Sequence, residues 1–237
     1  MIVKTKAIVL RVVKFKDTSL IVKCYTELGI KSYLVKGILS HRKSKLKVAH
    51  FQLLNILDLI AYHNKKGNLN SIKEAKINYP LNNIYTNMVK QSIVMFLAEI
   101  LNYALQEEEA NKTLFQFIKK SLKFLDKEKK IGNFHLLFLL KLTGFLGFYP
   151  QIKNLDYPYF NLQEGLFENK DSLTSIKDYK INLFKSLLGT NFDSMQTLIL
   201  NKKEKNMLLD ILVNYYELHL TGFKKLNSLP ILKTLFI

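Results

Sequence analysis

The densest chemical signal in the sequence is KGILSHRKSKLK, Lys36 to Lys47, with five Lys or Arg in twelve residues. The run has no apolar period, so it cannot pack as a core helix or strand, and its charge must face water or a polyanion. A solvated surface loop is the plain alternative. Catalytic chemistry has no comparable support. The run lacks the first glycine and the Gly-Lys-Ser/Thr ending of a phosphate loop, and neither Gly-x-Ser-x-Gly nor Gly-x-Gly-x-x-Gly occurs anywhere. His41, His50, His63, His135 and His219 are never within four residues of one another, so no pair can ligate a metal from one helical face, and Cys24 is the single thiol. Glu107, Glu108 and Glu109 form a like-charge run that fits an exposed linker better than a catalytic pair. These residues predict no enzyme, no metal and no cofactor.

The charge is unevenly placed. Of a formal net charge of +17 over 237 residues, residues 1–79 hold 16 Lys and Arg against 4 Asp and Glu, and the remaining 158 hold 20 against 15. A basic first third suggests a nucleic-acid or anionic surface on one module, and the general lysine bias of the chain is the competing explanation. One cysteine excludes an internal disulfide and fits a reducing compartment. The N-terminus, MIVKTKAIVLRV, lacks a signal peptide's apolar stretch, and the most apolar segment, Phe134 to Phe148, is broken by Lys141 and too short to span a bilayer. The expectation is a soluble cytoplasmic protein with no membrane contact.

The elements that would position the basic run read as strands. Lys6 to Phe15 and Ser19 to Thr26 are rich in β-branched residues around the turn Lys16-Asp17-Thr18. A tight connection through Glu27, Leu28 and Gly29 leads to a third strand, Ile30 to Lys36. Phe51 to Tyr62 and Leu69 to Ile77 supply the fourth and fifth. Five antiparallel strands, with the basic run between the third and fourth, match the element count of an OB-fold. Alternation places Leu20, Val22 and Cys24 on one face and pairs them with Ile30, Ser32 and Leu34 as the barrel interior. Lys23, Tyr25, Lys31 and Tyr33 then form an exposed basic and aromatic face, suited to stacking bases and tracking phosphates. The alternative is that Tyr25 and Tyr33 pack against the second domain.

After Tyr79-Pro80 the period changes from two to about 3.6. The predicted class is α+β: an OB-fold barrel over residues 1–79, then an all-α domain over residues 80–237. Val89, Ile93, Phe96, Leu97, Ile100 and Ala104 line one helix. Leu114, Phe115, Ile118, Leu122 and Leu125 line a second, with Lys119, Lys120 and Lys123 outside. Asn133 to Phe148 is apolar nearly all round and reads as the buried central helix. Residues 149–178 lose periodicity and form an irregular insertion. A helix over Ile181 to Leu188 follows, and Asn201 to Glu204 has capping-box spacing ahead of a last helix to about Leu220. That helix turns Leu208, Ile211, Leu212, Tyr215 and Leu218 inward.

Three stretches in this order resemble a known family. Lys6 to Lys45, KAIVLRVVKFKDTSLIVKCYTELGIKSYLVKGILSHRKSK, LKLTGFLGFYP at Leu140 to Pro150, and LNSLPIL at Leu226 to Leu232 are similar to the bacterial recombination mediators of the RecO family. The resemblance covers nearly the whole chain. It implies a non-enzymatic DNA repair protein of the RecF pathway that binds single- and double-stranded DNA, anneals complementary strands, acts with RecR, and contacts the acidic, apolar-ended C-terminal tail of the single-strand-binding protein. It implies a cytoplasmic, nucleoid-associated location. Many members carry a four-cysteine zinc motif just after the segment matching Gly147 to Pro150. Here residues 149–178 contain no cysteine, and Tyr157, Tyr159, Phe160 and Phe167 could replace the metal as an apolar cluster.

The expected DNA-binding set is Arg11, Lys14, Lys16, Lys23, Tyr25, Lys31, Tyr33, Lys36, Arg42, Lys43, Lys45 and Lys47. Two other function classes share the sequence: an OB-fold scaffold for protein interaction, and an RNA-binding factor with the same electrostatics.

Overall fold

The computed structural model describes residues 1–40, 46–64, 69–105 and 109–235. Five strands, β1 (Ile2–Phe15), β2 (Ser19–Thr26), β3 (Gly29–Val35), β4 (Ile56–Tyr62) and β5 (Leu69–Tyr79), close into a barrel in the order β1-β2-β3-β5-β4. β3 and β5 run parallel and every other seam is antiparallel, which is the OB-fold topology. The interior is filled by Ala7, Val9, Leu20, Val22, Cys24, Tyr33, Val35, Phe51, Leu57, Leu59 and Ala61. A bulge between Val9 and Arg11 bends β1, and Ile8 and Leu10 are buried outside that interior cluster, where a helix over Met88–Ala104 packs on the strand.

Two expectations change here. The turn between β2 and β3 is one residue shorter than three: Thr26 pairs with Gly29, leaving only Glu27 and Leu28 as the loop. Gly29 takes φ +85, a left-handed conformation that glycine adopts without a Cβ penalty. A one-residue shift of register turns a strand over. Val22 therefore faces Tyr33 and Leu20 faces Val35, so Tyr33 and Val35 are interior, while Ile30, Ser32 and Leu34 lie on the other face. The fourth strand also begins later than expected. Val48–Phe51 is a 3-10 turn and Leu54 sits at φ +60, so pairing starts at Ile56.

Helices α1 (Asn82–Thr86), α2 (Met88–Ala104) and α3 (Lys112–Lys127) belong with the barrel to one compact unit, Met1–Lys127. The side chain of Asn87 caps α2 by accepting from Lys90 N. Asp126 Oδ1 accepts from Ile84 N at 3.0 Å, and the nearly buried Lys90 Nζ donates to Asp126 O at 2.7 Å, so one residue of α3 satisfies polar groups of both α1 and α2. Tyr85 OH donates to Asn55 Oδ1 at 2.8 Å and ties α1 to the start of β4.

The second unit is Glu128–Ile237. Its centre is α4 (Phe134–Phe145), whose residues Leu136 to Leu140 and Leu142 are all fully buried. A helix apolar on every side requires neighbours on every side. α6 (Lys202–His219) supplies one of them, and begins with the expected capping box: Asn201 Oδ1 accepts from Glu204 N at 3.0 Å, and Glu204 returns the bond to Asn201 N. Tyr216 OH donates to Leu139 O at 2.8 Å. Leu218, expected inward, is 41% exposed; the buried stripe follows Leu208, Leu209, Ile211, Leu212, Tyr215 and Tyr216, and Leu218 sits at the edge of that stripe in the last turn of the helix. α5 (Asp178–Leu188) and α7 (Leu229–Leu235) complete the helices.

The insertion is a small antiparallel sheet, β6 (Tyr159–Asn161), β7 (Leu166–Glu168) and β8 (Ser175–Ile176), in the order β7-β6-β8. Phe160 is fully buried, with its ring 4.8 Å from both Phe167 and Phe184 and 6.1 Å from Tyr215. Asn161 ties the loops together: its Oδ1 accepts from Gln163 N, Glu164 N and Thr174 Oγ1, and its amide donates to Glu168. Gly165 turns the β6–β7 loop at φ +69, and a Cβ there would meet Tyr215 Oη at 2.6 Å. Tyr157 and Tyr159 stay half-exposed at the rim.

Two outcomes are expected. A strong chelator leaves the melting temperature unchanged, while Phe160→Ala, which empties the centre of the aromatic cluster, destabilises the unit by about 3–5 kcal/mol in urea unfolding; a chelator-sensitive melt would contradict this packing. The second concerns His135, which is fully buried, with burial and then the Lys205 charge lowering its pKa to about 3. Its folded pKa lies below the unfolded value of about 6.5. The stability it contributes is therefore complete above pH 6.5 and is lost as pH falls toward 3, by up to about 1.4 kcal/mol per pH unit. The stability difference between wild type and His135→Leu should be flat above neutrality and move toward the variant on acidification. A difference independent of pH would refute it.

Candidate nucleic-acid interface

The candidate interface is built on one end of the barrel. Leu39 N donates to Thr18 O at 2.9 Å, and Gly37 N reaches Ser19 Oγ at 3.4 Å, so the β1–β2 turn and the segment leaving β3 form a single lip. Ser40 Oγ closes that segment by donating to Gly37 O at 2.7 Å. Lys14, Lys16 and Lys36 are exposed on this lip, and the chain continues from it into the basic run. Lys16 holds φ +53 at the tip of the turn, with its Nζ 5.6 Å from the Phe15 ring. Lys47 is exposed where the chain re-enters described structure, and its backbone N–H donates to His50 Nδ1 at 3.1 Å. Arg42, Lys43 and Lys45 lie outside the described residues.

Arg11 is exposed on β1 just past the bulge and faces Lys23 across the β1–β2 seam. Like charges in register repel. The structure resolves the pair by turning Lys23 away: its Nζ donates to Asn102 O at 3.0 Å, at the C-terminal turn of α2, where the helix dipole favours a cation. Burial, and then the Arg11 charge, lower the Lys23 pKa. Lys23 thus serves the packing of α2 on the barrel. Lys31 is half-buried in register with Cys24.

The tyrosines are corrected in place. Tyr33 is fully buried inside the barrel, its hydroxyl 3.1 Å from His63 Nε2. Tyr25 is 2% exposed, with its ring 5.9 Å from Phe115 and its hydroxyl donating to Asn111 O at 3.1 Å. Both rings pack on protein. Burial raises both phenol pKa values, that of Tyr25 to about 12. The outer face of the β2–β3 hairpin at Tyr25 is covered by α3, a cover that strand alternation could not foresee.

Of the expected set, the structure brings Lys14, Lys16 and Lys36 together and keeps Arg11 and Lys47 exposed. None of these five is paired with a carboxylate among the described residues. Sequence reasoning missed Tyr62, which is 44% exposed at the end of β4. The signal was available: with Leu57, Leu59 and Ala61 inward, alternation sends Tyr62 out.

No group of three or more His, Cys, Asp or Glu among the described residues could hold a metal. The position where the family's zinc motif would lie is packed with Phe160, Phe167, Phe184 and Tyr215, and offers no sulfur or imidazole cluster, so a zinc ion does not fit this chain there. No helix among the described residues is long and apolar enough to cross a membrane.

Comparison with known proteins matches the chain in two consecutive segments. The family model described as Recombination protein O N terminal matches residues 1–80, the barrel, and that described as Recombination protein O C terminal matches residues 85–230. The DNA repair protein RecO of Flavobacterium psychrophilum is 45% identical over 235 residues, and that of Flavobacterium johnsoniae 46% over 235 residues, each alignment covering 99% of both chains. The RecO protein of Christiangramia forsetii is 43% identical over 238 residues, with both chains covered in full. With both halves matched in order and relatives aligned end to end, the chain belongs to the RecO family of DNA repair proteins.

Proposed function

We propose that this protein is a DNA-binding recombination mediator that works without catalysis of its own: it binds single- and double-stranded DNA, promotes annealing, and acts with RecR in the RecF pathway at the nucleoid. The observation that carries the reading is the lip of the OB barrel, where Lys14, Lys16 and Lys36 stand exposed at the start of the basic run, with no carboxylate partner among the described residues. Residues 1–79 act as the gripping domain and residues 80–237 as the helical domain. Cations on a barrel end bind phosphates by releasing counterions, an affinity that depends little on base identity. Annealing needs such a grip, because both strands must be held close while their bases remain free to pair.

A cleft on the second unit supports a site there for the partner tail. A cleft of about 820 Å³ is floored by Leu162, Ile176 and Ile211, walled by Met207, and rimmed by Lys180, Lys202 and Lys203. Asp210, the one acid lining it, is paired with Lys233. Asn206 Oδ1 is buried in the wall with no hydrogen bond among the described residues, an acceptor suited to a peptide N–H. An acidic peptide with apolar terminal residues matches this chemistry.

For the lip, titration of a labelled single strand against salt should give a log K versus log salt slope of about −4 if around six phosphates are engaged. The Lys14→Ala, Lys16→Ala, Lys36→Ala triple variant should flatten that slope by about 2, and Arg42→Ala, Lys43→Ala, Lys45→Ala and Lys47→Ala together should flatten it further. Slopes unchanged in both variants would favour the scaffold reading. For the cleft, Lys180→Glu with Lys202→Glu should weaken binding of a synthetic single-strand-binding-protein tail at least about ten-fold and leave DNA affinity intact; undiminished peptide binding would move the tail elsewhere.

A further inference from the structure

Where the barrel could meet a base is a separate matter from where it grips phosphates. The cross-strand register lines up Val13, Ile21, Leu34, Ser71, Tyr62 and Ile2 around the barrel, from β1 through β2, β3, β5 and β4 back to β1. Directly paired residues point to the same face, and the neighbouring positions Val22, Tyr33 and Ala61 are interior, so this row lies on the outside. Val13 is 43% exposed, Tyr62 44% and Ile2 57%. Between β3 and β5 the row opens into a cavity of about 260 Å³. Leu34 and Leu69 are its apolar walls, Tyr62 stands at its edge, and Lys36 reaches it from the lip.

The polar floor is held in place. Asn70 donates to Ser32 O at 3.2 Å and accepts from Asn64 N at 3.0 Å, and His63 bonds the hydroxyl of buried Tyr33. A cavity below the roughly 300 Å³ at which drug-sized pockets begin has room for one flat ring. An aromatic face beside an unpaired cation is how sequence-tolerant proteins take a nucleotide: the base stacks and its phosphate meets the lysine. Duplex bases are stacked on each other and offer no free face.

We propose that this pocket seats one unpaired nucleobase of single-stranded DNA on Tyr62, flanked by Leu34 and Leu69, with the adjoining phosphate on Lys36. The proposal rests on the DNA-binding reading above and adds the element that distinguishes single strands from duplex. It takes the place that Tyr25 and Tyr33 do not fill.

The chain has no tryptophan, so Tyr62→Trp installs a single fluorescent reporter. Its emission should be quenched by an oligothymidylate and left unchanged by an abasic oligonucleotide of equal length that binds at the same low salt. Tyr62→Ala should weaken oligothymidylate binding by about 5- to 100-fold, while its affinity for duplex and its melting temperature stay those of wild type. If oligothymidylate binds wild type but neither quenches the reporter nor loses affinity for Tyr62→Ala, the pocket is not a base site; the row would then be a protein-facing surface, and the phosphate grip would stand. If no oligonucleotide binds wild type at any salt, the DNA-binding reading fails and the base site fails with it.

Discussion

The arrangement of the barrel depends on the length of one turn. With Glu27 and Leu28 alone between β2 and β3, Thr26 must pair with Gly29, and the hairpin is locked into a register in which Tyr33 fills the interior opposite Val22. A third loop residue would exchange the faces of β3. Leu34 would then face Val22 in the interior in place of the Tyr33 ring, and Tyr33 would move to the outer surface opposite Lys23 in place of Ser32. Closure follows from the same register, because β3 must then present its far edge to β5 in the parallel pairing Ser32–Leu69 to Leu34–Ser71. Gly29 makes the turn inexpensive, since φ +85 would strain any residue with a Cβ.

The same register sorts the cations by role. Arg11 and Lys23 meet across β1 and β2, and their repulsion is relieved only because α2 ends nearby with a free carbonyl at Asn102. Lys23 becomes part of the fold, and Arg11 stays in solvent. No carboxylate pairs with the lysines of the lip among the described residues. Lys23 and the lip lysines are indistinguishable by residue type. Their surroundings separate them: one donates to a helix terminus, the others face water on a surface whose net charge is positive.

The second unit shows how a small sheet is held without metal. A zinc site would fix loops through a few strong bonds; here Phe160, Phe167, Phe184 and Tyr215 do so by burial, and Asn161 satisfies the turn polar groups that burial would otherwise strand. α5 and α6 supply two of those four rings, so the insertion is anchored by helices far along the chain. The lip of the barrel and the cleft along α6 lie on different units.

What the sequence determined by itself was local or periodic. The five strands, the change of period after Tyr79, the apolar stripe of α3, the all-apolar α4 and the Asn201 capping box are each written within a window shorter than one element, where residue spacing fixes geometry directly. The lysines of the lip were legible for the same reason, since charge without periodicity has to be at a surface. What only the tertiary structure decided was non-local. Whether Tyr33 points in or out turned on one residue of loop length. Whether Tyr25 is exposed turned on a helix that begins more than eighty residues later, and which lysine remains available to a ligand turned on where that helix's predecessor ends. Alternation along a strand tells which side chains share a face, but the identity of the inner face is set by the partner strand and by what packs over the outer one, and neither is encoded in the strand itself.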